Sequence, residues 1–178
     1  MEGNVMKNLI SVKKLRADFN SRQSSVEVRP GVYRWWFSIE QAQRLLELFS
    51  VAINADGIMK RVIEGDEYWA LYFGISSDLR KRIRWHVNGP FKSSTLRRTL
   101  RALLQPAPAD EDKMVNDFLD QCFWEWDYTD SVEEAEGVEK AELSRETHWY
   151  PLNIKENRSP LLPANWTKEL KSKRNINH

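Results

Sequence analysis

The chain has 178 residues, which fits one domain, and 41% of them are hydrophobic, enough to bury a core and to exclude a wholly disordered protein. Its formal net charge is only +1, so no overall attraction to nucleic acid or to an anionic membrane is expected. A single cysteine, Cys122, excludes an internal disulfide and favours a reducing, cytoplasmic location. No apolar run approaches membrane length, and no Cys or His spacing is typical of a zinc site.

The N-terminal third of the chain predicts an arm, a strand and a helix. Residues 1–27 lack strong periodicity beyond a short helix around 9–19, so we expect an N-terminal arm. The β-branched and aromatic run 32–37 predicts a strand entered through a Pro-Gly turn. Ser38 and Gln41 have the spacing of a capping box, which predicts a helix over 38–53.

The middle of the chain predicts two strands joined by a turn at 64–66, followed by two basic helices. Leu79 and Ile83 form the apolar side of the first helix, and four leucines form the apolar side of the second helix. Basic and acidic residues are separated along this part of the sequence. Residues 80–101 hold eight Lys or Arg and no acid, whereas residues 110–142 hold thirteen acids and two lysines.

The last third predicts a short helix, a strand over "CFWEWDY", a capped helix from Ser131 and a break at "PLN", residues 151–153. Residues 155–178 are expected to be a charged tail with a frayed helix. We assign the tryptophans at 35, 36, 69, 124 and 126 to the core or the sheet faces, with stacking on unpaired bases as the alternative. The sum is an α+β fold, a small antiparallel or mixed sheet flanked by helices.

Several short motifs occur in a fixed order. "GVY" ends at Tyr33, "YFG" begins at Tyr72, and Arg82 and His86 follow on the first basic helix. A glutamate on a later helix and Asn153 of "PLN" complete the series. This ordered set resembles the GIY-YIG nuclease family, with Phe73 in place of the usual isoleucine and a long interval between the two tyrosine motifs.

The resemblance implies a nuclease domain over residues 28–154, with 38–66 as an insertion. It further implies an endonuclease that hydrolyses phosphodiester bonds in DNA with one divalent metal ion, Mg²⁺ or Mn²⁺. RNA and branched DNA stay open as substrates. Restriction, repair and mobile-element roles are equally open.

Phosphodiester hydrolysis requires positive charge at the developing phosphorane and a metal or acid at the leaving oxygen. Arg82 fits the first role because its planar guanidinium holds two phosphate oxygens at once. Glu142 fits the metal, since Mg²⁺ prefers oxygen ligands and keeps several waters when one carboxylate holds it. Its interval to "PLN" is slightly shorter than the family pattern, so Glu139 and Glu146 are rival ligands.

The reaction also requires a base that activates water. We assign Tyr33 as this base, with His86 assisting because imidazole ordinarily titrates near neutrality. Tyr72 is expected to present a second phenol from the neighbouring strand. A tyrosine base needs a lowered pKa, which Arg82 and the metal are expected to provide. Asn153 is expected to hold these groups by hydrogen bonds.

The basic run begins on the helix that carries Arg82, so we expect it to follow the phosphates of bound DNA. Its proposed DNA-binding residues are Arg80, Lys81, Arg84, Lys92, Arg97, Arg98 and Arg101. The acidic segment is expected to lie away from the duplex. The chief alternative is a nucleic-acid-binding module that has lost cleavage, and a third possibility is a structural protein whose basic and acidic halves mediate self-association.

Overall fold

A computed structural model describes residues 6–51, 53 and 55–175. Within them a single five-stranded sheet is flanked by helices, so the predicted α+β class is confirmed. The strands are β1 (Asn8–Ser11), β2 (Gly31–Ser38), β3 (Lys60–Ile63), β4 (Asp66–Ser76) and β5 (Phe123–Tyr128). The helices are α1 (Val12–Asn20), α2 (Ile39–Leu46), α3 (Leu79–Asn88), α4 (Thr95–Leu104), α5 (Glu111–Leu119), α6 (Val132–Glu142) and α7 (Trp166–Asn175).

The strand order is β1-β5-β2-β4-β3, and every pair of neighbours is antiparallel. β2 therefore lies at the centre, between β4 and β5. The predicted hairpin joins β3 to β4 through Glu64 and Gly65, which have positive φ angles of 54° and 98°. Such a turn matches the twist of the strands it connects. Within the described residues, no helix combines the length and the apolar character that a membrane crossing needs.

Side chains alternate between the two faces of the sheet, and each face has its own core. The larger core lies on the face that carries Tyr33, Trp35 and Phe37. The smaller core lies on the opposite face, where Trp36 and Phe73 pack against α6. All five tryptophans that were assigned to the core are at most 6% exposed, so that assignment is confirmed and none of them is available for stacking on bases.

The two ends of the described chain are more integrated than an arm and a tail would be. β1 pairs with β5 as an edge strand, and Val12 and Leu15 of α1 are fully buried. At the other end, Trp166 of α7 stacks on Phe49 with 4.1 Å between ring centroids. The sequence pattern did not reveal these contacts because α1 and α7 each contribute only two buried residues to a core built elsewhere.

The helix after β2 begins as predicted and ends early. Ser38 and Gln41 form both hydrogen bonds of the capping box. α2 nevertheless stops at Leu46, seven residues before the expected end at 53. The apolar side chains beyond it, Phe49 and Ile58, still reach the larger core.

Candidate active site

The two tyrosine motifs lie side by side at the centre of the sheet, where Tyr33 on β2 is directly opposite Gly74 on β4. A Cβ atom at Gly74 would lie 2.6 Å from the Tyr33 hydroxyl, so only glycine lets the phenol lie across β4. A Cβ atom at Gly31 would lie 2.2 Å from the Asp127 carbonyl oxygen. Gly74 is inside β4 and provides space for Tyr33.

His86 connects Tyr33 to the start of α4. Its Nε2 lies 2.9 Å from the Tyr33 hydroxyl and its Nδ1 lies 2.7 Å from the Ser94 hydroxyl. Ser94 is also the N-cap of α4, since its oxygen accepts the Arg97 backbone N–H. Burial, assisted by the charges of Arg82 and Arg97, lowers the pKa of His86 to about 3. The imidazole is therefore neutral at physiological pH, which differs from the expectation that it titrates near neutrality.

The phenol groups are likewise neutral. Burial raises the pKa of Tyr33 well above its ordinary value, and Tyr72 raises it further, while Arg82 acts in the opposite direction. Burial also raises the pKa of Tyr72. The protein environment of these two phenols therefore raises their pKa, whereas a tyrosine base was expected to have a lowered one.

These residues border a cleft of about 680 Å³. We call it the active-site cleft and define it by Tyr33, Tyr72, Arg82, Glu139 and Asn153, which all line it. Arg82 comes from α3, one turn before His86, and its buried Nε has no hydrogen-bond partner in the part of the chain that the structure describes. A guanidinium in this state is available to an anion that enters the cleft.

Glu142 lies outside this cleft, in a group of charges beneath α6. One of its carboxylate oxygens accepts hydrogen bonds from Arg34 at 2.9 Å, His148 at 2.9 Å and Tyr150 at 2.6 Å, and the other accepts from Arg145 at 2.7 Å. Burial alone would raise the pKa of Glu142, but these partners outweigh it and hold the pKa well below its usual range.

We call this group the Glu142 network and define it by Arg34, Glu125, Glu142, His148 and Tyr150. Arg34 links its two carboxylates, since it donates to Glu125 at 3.1 Å as well as to Glu142. Glu142 is only 6% exposed and has four partners, so this geometry does not favour it as a metal ligand. Motif spacing did not separate Glu142 from Glu139, because the two glutamates are only three residues apart on one helix.

Glu139 has the opposite environment. It is half-buried, and it makes no salt bridge within 4.0 Å to any residue in the described ranges. Burial raises the pKa of Glu139, with further contributions from Glu156 and Glu136, and Arg82 opposes them. A cation beside this carboxylate would relieve the cost of burying its charge.

Asn153 ties the loop after α6 to β4. Its side-chain oxygen accepts the Phe73 backbone N–H at 2.9 Å, and its side-chain nitrogen donates to the Phe73 carbonyl at 2.8 Å. Phe73 lies between Tyr72 and Gly74, so Asn153 positions the strand that carries both. Both polar ends of the amide are thereby engaged with backbone rather than with Tyr33, Glu142 or water.

The family model described as the GIY-YIG catalytic domain matches residues 31–176. The chain belongs to the GIY-YIG family. No curated protein and no solved structure gave a match. The family match includes α7, which the motifs themselves do not reach.

GIY-YIG nucleases generally depend on a divalent metal, and the donors in the cleft fit such an ion. Within the described residues no group of three or more His, Cys, Asp or Glu side chains could enclose a metal. Glu139 therefore offers one carboxylate, the arrangement in which Mg²⁺ keeps several waters and takes further oxygens from a phosphate. The neutral phenols of Tyr33 and Tyr72 add polar oxygens to the same cleft.

The basic residues of this GIY-YIG domain divide into three groups. Arg97 is 1% exposed and donates to Asp112, Asn116 and the His86 carbonyl, so it is a structural residue and cannot reach a phosphate. Arg101 pairs with Glu111 at 3.5 Å. The third group is exposed or lines the cleft, and it comprises Arg80, Lys81, Arg84, Lys92 and Arg98.

Sequence reasoning missed three residues at or beside the active-site cleft. Ser94 orients His86, and a signal for it existed because a serine before an apolar helix is typical of an N-cap. Lys171 and Arg174 line the cleft from α7. Their only signal was a basic tail, which is more often a solvated surface.

Proposed function

We propose that the protein is a metal-dependent endonuclease that hydrolyses phosphodiester bonds in DNA. The observation that carries this proposal is the convergence of a Tyr33–His86 hydrogen bond, an unpaired Arg82 and an unpaired Glu139 on one cleft. Each of the three has the chemistry of one part of the reaction, and among the described residues neither Arg82 nor Glu139 has a salt-bridge partner within 4.0 Å.

Tyr33 and His86 form the proton-accepting pair. If the Nδ1–H of His86 donates to Ser94, then Nε2 accepts the Tyr33 hydroxyl proton, and the phenol oxygen in turn accepts a proton from the attacking water. The low pKa of His86 opposes this transfer in the free protein. Because the charge of Arg82 contributes to that low pKa, a phosphate bound to Arg82 would raise it and make the imidazole a better base.

Arg82 would hold the phosphate that is cleaved. Its guanidinium offers paired N–H donors, which follow two phosphate oxygens as charge develops on them. Trp85 restricts the side chain, since the guanidinium carbon lies 5.6 Å from the centre of its ring. Such a fixed donor costs little reorganisation when the reaction occurs.

Glu139, rather than Glu142, would hold the divalent metal. A bound Mg²⁺ or Mn²⁺ supplies Lewis acidity at the phosphate and the leaving oxygen. The residues around it would hold the DNA and move protons. Glu139 supplies the anionic ligand, and Asn153 keeps β4 in register so that Tyr72 faces the same space.

DNA is the substrate that the family and the surface charge favour. Lys81, Arg84 and Lys92 are exposed, and Arg84 and Lys81 border a second groove between α1 and α3. Exposed cations that adjoin an active site lower the free energy of a bound polyanion.

Supercoiled plasmid with Mg²⁺ tests the proposal. Wild-type protein should nick or linearise the plasmid, EDTA should stop it, and Arg82→Ala should reduce the rate on the order of a hundredfold or more. Arg44→Ala is the matched control, because Arg44 is exposed on α2 and outside the cleft. Wild-type protein that shifts DNA in a gel without cutting it would favour the binding module instead, a reading to which the raised pKa of Tyr33 lends support.

A further inference from the structure

α7 brings two cations into the active-site cleft, and α4 brings a third. Arg98 of α4 and Lys171 and Arg174 of α7 line the same space as Arg82. Within the described part of the chain, none of these four side chains has a carboxylate within 4.0 Å. The acids that line the cleft are Glu139 and Glu156, and Glu156 pairs with Arg158 at 2.9 Å.

Arg98 and Arg174 are close enough to repel each other. Burial lowers the pKa of Arg174, the charge of Arg98 lowers it further, and only Tyr72 acts in the opposite direction. Among the described residues, the buried Nε of Arg98 has no hydrogen-bond partner, and its terminal nitrogen donates to the Thr95 hydroxyl of its own helix at 3.3 Å. Two half-buried guanidinium groups without an anion are unfavourable, and one phosphate between them would satisfy both.

The position of Arg174 is fixed by the anchoring of its helix. Trp166 is fully buried, and its indole N–H donates to the Pro151 carbonyl at 2.7 Å. Leu170, one turn before Arg174, is also fully buried. α7 packs directly on α4, and Arg174 and Arg98 line the same cleft from these two helices. An anchored cation loses less conformational entropy on binding than a side chain on a mobile tail would lose.

Tyr72 connects this pair to the catalytic groups. Burial raises the pKa of the Tyr72 phenol, and the charges of Arg82 and Arg174 both act to lower it. We propose that Arg98 and Arg174 form a second phosphate site, which binds a phosphate of the same DNA strand next to the one that Arg82 holds. This inference rests on the proposed function, because it assigns the pair to the DNA strand that is cleaved.

Fluorescence anisotropy with a short DNA duplex in EDTA tests the site without any cleavage. Arg174→Ala and Arg98→Ala should each weaken binding about tenfold, and the salt dependence of log K should become shallower by about 0.9, as the loss of one phosphate contact requires. The double variant should lose less affinity than the product of the single losses, because both arginines bind one phosphate. Arg174→Lys should retain part of the affinity.

Lys168→Ala is the matched control, since Lys168 is exposed on the same helix and outside the cleft. Circular dichroism should show that all variants are folded. In plasmid cleavage with Mg²⁺, Arg174→Ala should raise KM with little change in kcat, whereas Arg82→Ala should lower kcat.

The outcomes separate the two proposals. If wild-type protein binds and cleaves DNA while both arginine variants behave like Lys168→Ala, the second site is wrong and the nuclease proposal stands. An affinity loss with an unchanged salt slope also contradicts the second site. Wild-type protein that binds the duplex without cutting it, with Arg174→Ala weakened as stated, supports the phosphate site and overturns the nuclease. Absence of any DNA binding by the wild type overturns both.

Discussion

The active-site cleft and the Glu142 network contain similar residues in opposite states. Each gathers an arginine, a tyrosine and a glutamate around the central strands, and in each a buried histidine hydrogen-bonds to one of these residues. In the network, Glu142 has four hydrogen-bond partners and its pKa is held well below its usual range. In the cleft, Glu139 has no ion-pair partner among the described residues and its pKa is raised.

The difference separates a cluster whose charges are satisfied by internal partners from a cluster whose charges are open to a ligand. A buried ion pair that is fully hydrogen-bonded offsets its own desolvation and leaves no group for a ligand. A cleft whose cations and carboxylate stay unpaired is unfavourable in isolation and gains most from an anion and a metal. Residue type therefore does not distinguish the two clusters, whereas the number of hydrogen-bond partners does.

The strongest test replaces one glutamate in each cluster by glutamine. Glu139→Gln should reduce Mg²⁺-dependent cleavage on the order of a thousandfold, because it removes the anionic metal ligand, with little change in thermal stability. Glu142→Gln should lower the free energy of unfolding by about 3 kcal/mol, because it leaves Arg34 incompletely paired, while folded protein still cleaves. Plasmid cleavage and urea unfolding measure the two effects.

Glu136→Gln is the control for both, since Glu136 is exposed on the same helix and outside the cleft. The comparison fails if Glu142→Gln abolishes cleavage by protein that is still folded, or if Glu139→Gln cleaves normally. Glu146→Gln completes the set of candidate ligands; its residue is exposed and outside the cleft, so cleavage should persist.

Gly74→Ala should affect the cleft and leave the network intact. The added methyl would lie 2.6 Å from the Tyr33 hydroxyl and displace it from His86. We expect about a hundredfold loss of cleavage and about 1 to 3 kcal/mol of destabilisation from overpacking. Gly137→Ala on α6 is the matched control, because its new methyl meets nothing within 4 Å and should be neutral or slightly stabilising.

The pH dependence of stability should report His86 separately from Glu142. The unfolded chain protonates this imidazole near pH 6.5, roughly its ordinary pKa, whereas the folded protein does so only at about 3. The contribution of His86 is therefore complete above the higher value and is lost as the pH falls toward the lower one. Between about pH 6 and about pH 5 the free energy of unfolding should fall by up to about 1.4 kcal/mol per unit.

His86→Gln should flatten this slope, as urea unfolding at several pH values would show. Glu142 titrates in a lower window, because its contribution is complete above the ordinary pKa of glutamate and declines below it. A slope that persists unchanged in His86→Gln would mean that another group carries the pH dependence.

The smallest effect is expected on the exposed face of α3. Arg84→Ala removes one cation that borders the groove beside α1, so DNA affinity should fall a few-fold and the salt slope should become shallower by about 0.9. Anisotropy titrations at several salt concentrations measure both, with Arg44→Ala for comparison. A slope equal to that of the wild type would show that DNA does not reach this face.

Helix periodicity and motif order predicted the relative positions of Arg82 and His86. Arg82 and His86 lie one turn apart on α3, as their spacing required, because the geometry within a helix is local. The choice between Glu139 and Glu142 was not local. Both are on α6, and only the docking of that helix against the sheet decides which carboxylate reaches the cleft and which is buried beside Arg34.

The ends of the fold were the hardest to predict for a related reason. α1 and α7 each join the core through a few apolar residues, such as Val12 and Trp166, whose partners are far away in sequence. The positions of Lys171 and Arg174 follow from that docking and leave no periodic pattern of their own. Strands and basic helices in the middle of the chain were predicted because their patterns are dense and continuous.

The amide of Asn153 also covers part of an edge of the sheet. β3 pairs with β4 only as far as Trp69, which leaves the backbone of the later β4 residues as a sheet edge. Leu152 and Asn153 occupy that edge with three hydrogen bonds to Leu71 and Phe73. An uncovered edge is a template for pairing between molecules. The residue that holds β4 beside the cleft therefore also covers part of the edge through which two molecules could otherwise pair.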